Sequence, residues 1–341
     1  MTPANVSAAF ANQSQSCMEL GSPFMGQLMG LCATREWPNC PVTDRIFEWQ
    51  GDLSPRSQSV PLRLAGALHA LRLNGDAVLD AVYPPNAVSD DILWQAVSRT
   101  LCDQSPTIMT WLNSAPQTNE VRRSAALIAV GYFLADRFGL PIRTSELGAS
   151  AGLNLQWDRY ALEVSGQRFG PIDPVLTLRP DWTGPLPPKA QPNVIDRAGV
   201  DLNPLNPQSD ALRLQAYLWP DQPERLRLTQ AAIAAAQTPV DQGDAIDWLR
   251  SRLHHKPGEL HMIYSTIAWQ YFPADKQAEG TAAIAKAGEA ATDDTPLAWF
   301  AMEADDQSPG AALTLRLWPG DLTIPLGRAD FHGRWVHWAA P

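Results

Sequence analysis

The chain has 341 residues, 45% of them hydrophobic, and a formal net charge of -10 at neutral pH. That length and apolar content suffice for one large domain or two, while the acidic balance excludes a nucleic-acid backbone as partner, which needs a concentrated basic surface. No apolar run reaches the roughly 18 residues of a membrane span, and the opening Met1-Thr2-Pro3-Ala4-Asn5 is not a basic stretch leading into an apolar one, so the expectation is a soluble cytoplasmic protein without membrane partners.

Ser22-Pro23 opens a helix, with Ser suited to the cap and Pro to the first position, and Phe24, Leu28, Met29 and Cys32 fall on one face. A second helix starts near Ser59, carries Leu62, Leu64, Ala65, Leu68 and Leu71, and stops at Asn74-Gly75. Tyr83-Pro84-Pro85 breaks the chain before a helical period over 90–101. Thr118 starts what reads as the longest helix, through Ala125, Ile128, Ala129, Tyr132 and Phe133 to Gly139. With no strong strand signal so far, residues 1–140 are assigned to a helical N-terminal cap domain.

The character changes at Leu140-Pro141. A short strand over 142–147 leads into glycine-rich sequence, residues 161–190 read as a β insertion, and Arg197 to Asp201 ends another strand. Helices follow over 212–219 and 223–236, then Gly243-Asp244-Ala245, a helix over 246–253, a strand over 259–265, a helix over 275–291 and a strand over 297–302. The tail adds strands over 313–318 and 334–338. Strands alternating with helices, then a closing pair, indicate an α/β domain over 141–341: a Rossmann-like, doubly wound, mostly parallel sheet of methyltransferase type with an antiparallel C-terminal edge. Cys17, Cys32, Cys40 and Cys102 form no C-x-x-C pair and have no histidine at zinc spacing, so they read as reduced thiols rather than metal ligands.

The stretch Ser145-Glu146-Leu147-Gly148-Ala149-Ser150-Ala151-Gly152-Leu153-Asn154 admits two incompatible chemistries. Gly148-Ala149-Ser150-Ala151-Gly152 fits the G-x-S-x-G elbow of an α/β-hydrolase, with Asp305 or Asp306 and His332 completing a triad in chain order. Several strands precede such an elbow, however, and here only helical sequence does. The other reading, Glu146-x-Gly148-x-Ser150-x-Gly152, is similar to the loop that holds S-adenosylmethionine in methyltransferases. Glycines let the backbone approach the ligand and a following helix N-terminus favours its carboxylate. In this scheme Glu146 takes the ammonium group, Asp201 the ribose hydroxyls, and Asp244, with Ala245 beside it, the adenine amine. Two departures stand out: Ser150 replaces a glycine, and Asp201 lies at more than twice the usual spacing of about 20 residues, which the insertion must absorb. A nicotinamide cofactor fits less well because Glu146 occupies the adenosylmethionine position.

The chain resembles the bacterial family catalogued as domain of unknown function 2332, on Pro61 to His69, Tyr83-Pro84-Pro85, Gln117 to Val121, Glu146 to Leu155, Gly199 to Leu202, Trp219 to Pro223, Gly243 to Ala245 and His332 to Trp335. The resemblance implies a methyltransferase-like fold and names no reaction.

A small-molecule acceptor is expected above the carboxyl ends of the first and fourth strands. Tyr264 and Ser265 are candidates to polarise it and His261 to act as base, each also suited to a buried structural role. The strand lacks the N-P-P-Y-like run of exocyclic-amine methyltransferases. Thr118-Asn119-Glu120-x-Arg122-Arg123 is a candidate lid, with Asn119, Glu120 and Arg123 facing substrate, or else a capped helix start. The function expected is thus methyl transfer from S-adenosylmethionine, with non-catalytic adenosyl binding and serine hydrolysis as alternatives.

Overall fold

Proline and serine starts set the first part of the chain into helices at Ala4–Glu19, Pro23–Thr34, Pro41–Phe47, Val60–Leu73, Ala77–Asp80, Asp90–Asp103 and Ser105–Leu112. The computed structural model describes residues 2–55 and 57–340. Ser22 caps its helix by accepting the Met25 N–H, and Pro23 takes the first position. Ala4–Glu19 gave little signal in the sequence because its inner face carries few apolar residues, Val6, Phe10 and Cys17, with the polar Gln13 among them. These helices share one apolar cluster that includes Phe10, Leu28, Leu64, Leu68, Leu101 and Trp219. The segment Asp210–Arg227 joins the chain up to Thr118 in one compact unit. Asp221 accepts the Ser22 hydroxyl at 2.5 Å and the Phe24 N–H at 2.9 Å, and Gly66 leaves room for the Tyr217 ring.

Asn119–Ser209 and the chain from Leu228 onward form the second unit. The helix expected from Thr118 begins at Ser124, after a 3-10 turn at Val121–Arg123, and ends at Phe138 with Gly139 in the left-handed region. Its 15 residues are fewer than the 16 of Ala4–Glu19. The division falls at 118/119 rather than 140 because this helix packs on Leu153–Arg159 and Ala161–Val164.

The strands of this unit are β1 (Ile142–Leu147), β2 (Ala161–Val164), β3 (Gln167–Phe169), β4 (Thr177–Leu178), β5 (Asp181–Thr183) and β6 (Val194–Asp201). They continue with β7 (Asp241–Gln242), β8 (Leu260–Thr266), β9 (Leu297–Glu303), β10 (Ala311–Trp318), β11 (Leu322–Ala329) and β12 (Trp335–Trp338). The fold is mixed α/β around a nine-stranded sheet ordered β5-β12-β11-β10-β9-β8-β1-β6-β7. The pairs from β7 to β9 are parallel, and β9 to β12 is an antiparallel meander. β1, covered on both faces, is buried at all six positions, as a central parallel strand should be. One face packs through Leu147, Val200, Leu249, Ile263, Ile284 and Trp318.

The insertion read at 161–190 exists: β2, β3 and β4 form a separate three-stranded sheet, and β5 joins the far edge of the large one beside β12. The closing pair of strands becomes a meander because β11 was hidden by Pro325 and Gly327. A bulge opposite Leu313 and Thr314 accommodates both, in keeping with the places where a strand tolerates proline. Among the described residues no helix is long and apolar enough to cross a membrane.

Gly131 tests the packing. A methyl there lies 2.3 Å from the fully buried Trp157 ring. Alanine gains about 1 kcal/mol of helix propensity, but overpacking costs about 1–3 kcal/mol, so Gly131→Ala is expected to be destabilising in urea unfolding.

Candidate functional site

β1 delivers the chain into a turn in which Gly148, Ser150 and Gly152 all take left-handed φ, at 74°, 55° and 70°. Gly148 is further required by Ala268, since an added Cβ meets that methyl at 2.5 Å. The turn is held by its own protein. Val200 O accepts the N–H groups of Gly148 and Ala149, both at 3.0 Å, and Ala149 O accepts that of Gly152 at 2.8 Å. Asp201 Oδ2 accepts the Ser150 N–H at 2.9 Å. Asn119 Oδ1 accepts from Ala151 at 3.2 Å and Leu153 at 2.9 Å. Every N–H from 148 to 153 is therefore committed, and the segment that follows, Leu153–Arg159, is a kinked 3-10 turn rather than a full helix. The expected helix N-terminus for a ligand carboxylate does not form.

Glu146 lies beneath this turn, 1% exposed, with its Oε2 accepting the Tyr264 hydroxyl at 3.3 Å. Burial, reinforced by the charge of Asp201, pushes the Glu146 carboxyl from its ordinary 4.5 up to about 8, against the opposing Tyr264 hydrogen bond and Arg123 charge. Asn154 belongs to the same layer: its Oδ1 accepts the Ser124 hydroxyl at 2.6 Å and its Nδ2 donates to Glu120 O at 3.3 Å. Its carbonyl faces the Tyr264 hydroxyl at 3.2 Å.

Strand pairing brings the separated acids to one edge. β6 runs beside β1, so Asp201 arrives at the turn despite the insertion, its Oδ1 also accepting the Asn203 N–H at 2.9 Å. β7 ends beside Asp201, and Asp244 follows it. Asp244 caps the helix Ala245–Arg252, accepting the Ile246 and Asp247 N–H groups, and lies 3.7 Å from Lys276. Both acids thus hold backbone, while each carboxylate retains lone pairs for another donor.

The catalytic expectations need correcting. His261 pairs in register with Arg143, whereas Tyr264 pairs with Glu146. Three residues of strand put His261 about 10 Å away from that level, toward the amino edge. There its Nε2 meets Ser145 Oγ at 2.8 Å, and burial with the Arg143 and Arg252 charges holds it well below the usual histidine range. Tyr264 is fully buried, and burial with the Glu146 charge keeps its phenol protonated. Ser265 is buried too, beside Glu303.

The substrate-lid residues serve as struts. Asn119 clamps the turn, Glu120 Oε1 accepts the Arg122 N–H at 3.1 Å, and Arg123 donates to Phe331 O at 2.9 Å and Thr266 O at 3.1 Å. Sequence reasoning missed Glu303. Its carboxylate accepts the N–H groups of Ala268 and Trp269, each at 3.1 Å, and Gln270 at 3.4 Å, fixing the segment after β8 where Ile267 takes φ 55°. No local signal marks a glutamate at the end of a strand; only the β8–β9 pairing does.

The geometry does not favour the hydrolase reading: Ser150 Oγ is buried and has no hydrogen-bond partner among the described residues, and Asp305 is bound by the two terminal guanidinium nitrogens of Arg328 at 2.8 and 2.9 Å.

Residues 7–338 match the model of a family described as an uncharacterized protein conserved in bacteria, domain of unknown function 2332, and the chain belongs to that family. No curated protein and no solved structure matches it.

Asn119→Ala strands two buried N–H groups at about 1–3 kcal/mol each, so urea unfolding should show a loss of about 2 kcal/mol or more. The native chain keeps a proton on Glu146 that the unfolded chain releases above 4.5, so this carboxyl lowers stability as pH rises from there to about 8. Glu146→Gln should therefore melt higher than the parent above pH 8, with the gap closing toward pH 4.5, as thermal melts across that range would record.

Proposed function

With membership of that bacterial family as premise, we propose that the chain binds S-adenosylmethionine at the carboxyl edge of β1, β6 and β7 and transfers its methyl group to a small acceptor. The parallel strands run β7-β6-β1-β8-β9, which in chain order is third, second, first, fourth, fifth. That is the order of doubly wound nucleotide-binding sheets, whose ligands sit outside the carboxyl ends where the order reverses. The sheet differs from the type expected in closing with a meander.

One observation carries the choice of ligand. The glycine turn has no N–H to spare between 148 and 153, yet an acid stands on each of the two neighbouring strand ends. A dinucleotide needs such N–H groups for its pyrophosphate; an adenosyl sulfonium compound carries no phosphate and needs acceptors for its hydroxyls, amine and ammonium. Ser150 is 6% exposed and its buried Oγ has no partner among the described residues, which is consistent with a site that takes a polar guest.

Asp201 and Asp244 would receive the ribose and adenine through their remaining lone pairs. Glu146, enclosed beneath the turn, would act through its field: a cation above it favours the ionised carboxylate and expels the proton. When bound, S-adenosylmethionine supplies an electrophilic methyl group. No general base is proposed, since His261 lies toward the amino edge and Tyr264 is locked to Glu146. Catalysis would rest on positioning an acceptor that is already nucleophilic. The same two facts favour ligand binding without turnover as the second reading.

The test is a calorimetric and thermal-shift titration with S-adenosylmethionine, S-adenosylhomocysteine and NAD. Both adenosyl compounds should raise the melting temperature and NAD should not. Asp201→Ala, checked to be folded, should weaken binding by about tenfold or more, roughly 1.4 kcal/mol. Stabilisation by NAD alone, or by none of the three, would sink the proposal.

A further inference from the structure

We propose that the helical unit binds a small molecule through an oxyanion, a carboxylate or a phosphate, at a cluster of Arg45, Arg63 and Arg213 with the hydroxyl of Tyr217. Arg45 in Pro41–Phe47 and Arg63 in Val60–Leu73 lie against one indole, their guanidinium carbons 4.1 and 5.4 Å from the centre of the Trp49 ring. Arg63 reaches on to the end of Ser105–Leu112, donating to Leu112 O at 2.9 Å. Arg213, in the helix Ala211–Ala216, reaches the same stretch of chain, with Nη2 donating to Ala115 O at 3.4 Å. Tyr217 follows Arg213 by one helical turn, just as Gly66 follows Arg63. The two turns meet, because a Cβ added at Gly66 would lie 2.4 Å from the Tyr217 ring. The Trp111 ring stands edge-on to Tyr217 at 5.9 Å. The site lies within one unit and does not rest on the adenosyl reading.

The charge at this place is unbalanced. In a chain of net charge -10, none of the three guanidinium groups has a carboxylate partner among the described residues, although Asp44 and Glu48 flank Arg45 in sequence. Like charges gathered together repel, and more strongly away from water. Arg63 is 8% exposed; Nε donates to Gln58 O at 2.7 Å and Nη1 to Leu112 O, which leaves part of its fork of donors unused. Arg213 Nε and the Tyr217 hydroxyl are buried with no hydrogen-bond partner among the described residues, a condition that native structures normally relieve. Arg213 is half-buried and its hydrogen bond to Ala115 O is long, so its head group can turn and open both to a guest. All these groups donate. A carboxylate or phosphate brings acceptor oxygens and negative charge together, and it suits the planar guanidinium fork in bidentate fashion.

The experiment titrates the full chain in a calorimeter with inorganic phosphate and, separately, with succinate, ionic strength being held constant with sodium chloride. Saturable binding of one anion or both is expected, weakening as the salt is raised. Phosphate alone would assign phosphate esters to the site, and succinate alone carboxylates. Arg45→Gln and Arg213→Gln, at half-buried positions on different helices, should each weaken binding by about tenfold. Arg137→Gln, at an exposed position outside the cluster, should not. Labelling with the arginine reagent phenylglyoxal needs no variant: peptide maps should show the bound anion shielding Arg45 and Arg213 and leaving Arg137 reactive. No saturable binding of either anion, unchanged affinity in the folded Arg45→Gln and Arg213→Gln variants, or equal labelling of Arg45 and Arg213 with and without the anion would overturn the proposal.

Discussion

The hydrogen bonds that Asp201 and Asn119 accept from the backbone of the glycine turn are the constraint on which the second unit depends. A turn with three left-handed residues in six is unfavourable for an isolated chain, above all at Ser150, whose side chain disfavours that region. Here β1 supplies a rigid, buried approach, β6 supplies an acid at the matching height, and the segment before the helix at Ser124 supplies an amide from the other side. The result is a preorganised loop whose N–H groups are committed to the protein.

β1 also separates two kinds of polar chemistry along a strand of six buried residues. Toward its amino end, Arg143 donates to the carbonyls of Arg252 and His254, and Ser145 is bonded by both His261 and Arg252, whose guanidinium also meets Asp196. Most of that network is satisfied by its own members, although the buried Arg143 Nε makes no hydrogen bond among the described residues and lies 3.8 Å from Glu259 Oε2. Toward the carboxyl end, Glu146 is desolvated and short of compensating charge, which holds its carboxyl well above the ordinary carboxylate range. A buried acid left in this condition costs stability, a cost that proteins accept at functional sites.

The end of β8 repeats the theme with different parts. Ile267 in the left-handed region is an outlier for a β-branched residue, and strain of this kind persists only where surroundings over-determine it. Glu303 provides that through three successive N–H groups, and Ala268 completes it by filling the space that Gly148 leaves open. The segments after β1 and β8 are therefore one packed unit, and neither can be moved without the other.

Local patterns sufficed for the helices with capped starts, the buried apolar strands and the insertion after Gly152, because each rests on neighbours within a few residues. The chain alone also carried the family resemblance and the glycine turn as the place to look. It could not determine which side chains belong to that place. Asn119 and Glu120 looked like a lid and turned out to be struts; His261 and Tyr264 are close in sequence but sit at different heights of a strand; Glu303 carried no mark at all. The helix at Ala4–Glu19 and strand β11 were hidden because a sparsely apolar face interrupted by Gln13 and a bulge at Pro325 become intelligible only against their partners. Sequence records what each residue can do, whereas strand order and register decide which atoms meet, and hydrogen bonds between residues far apart in the chain are set by that meeting alone.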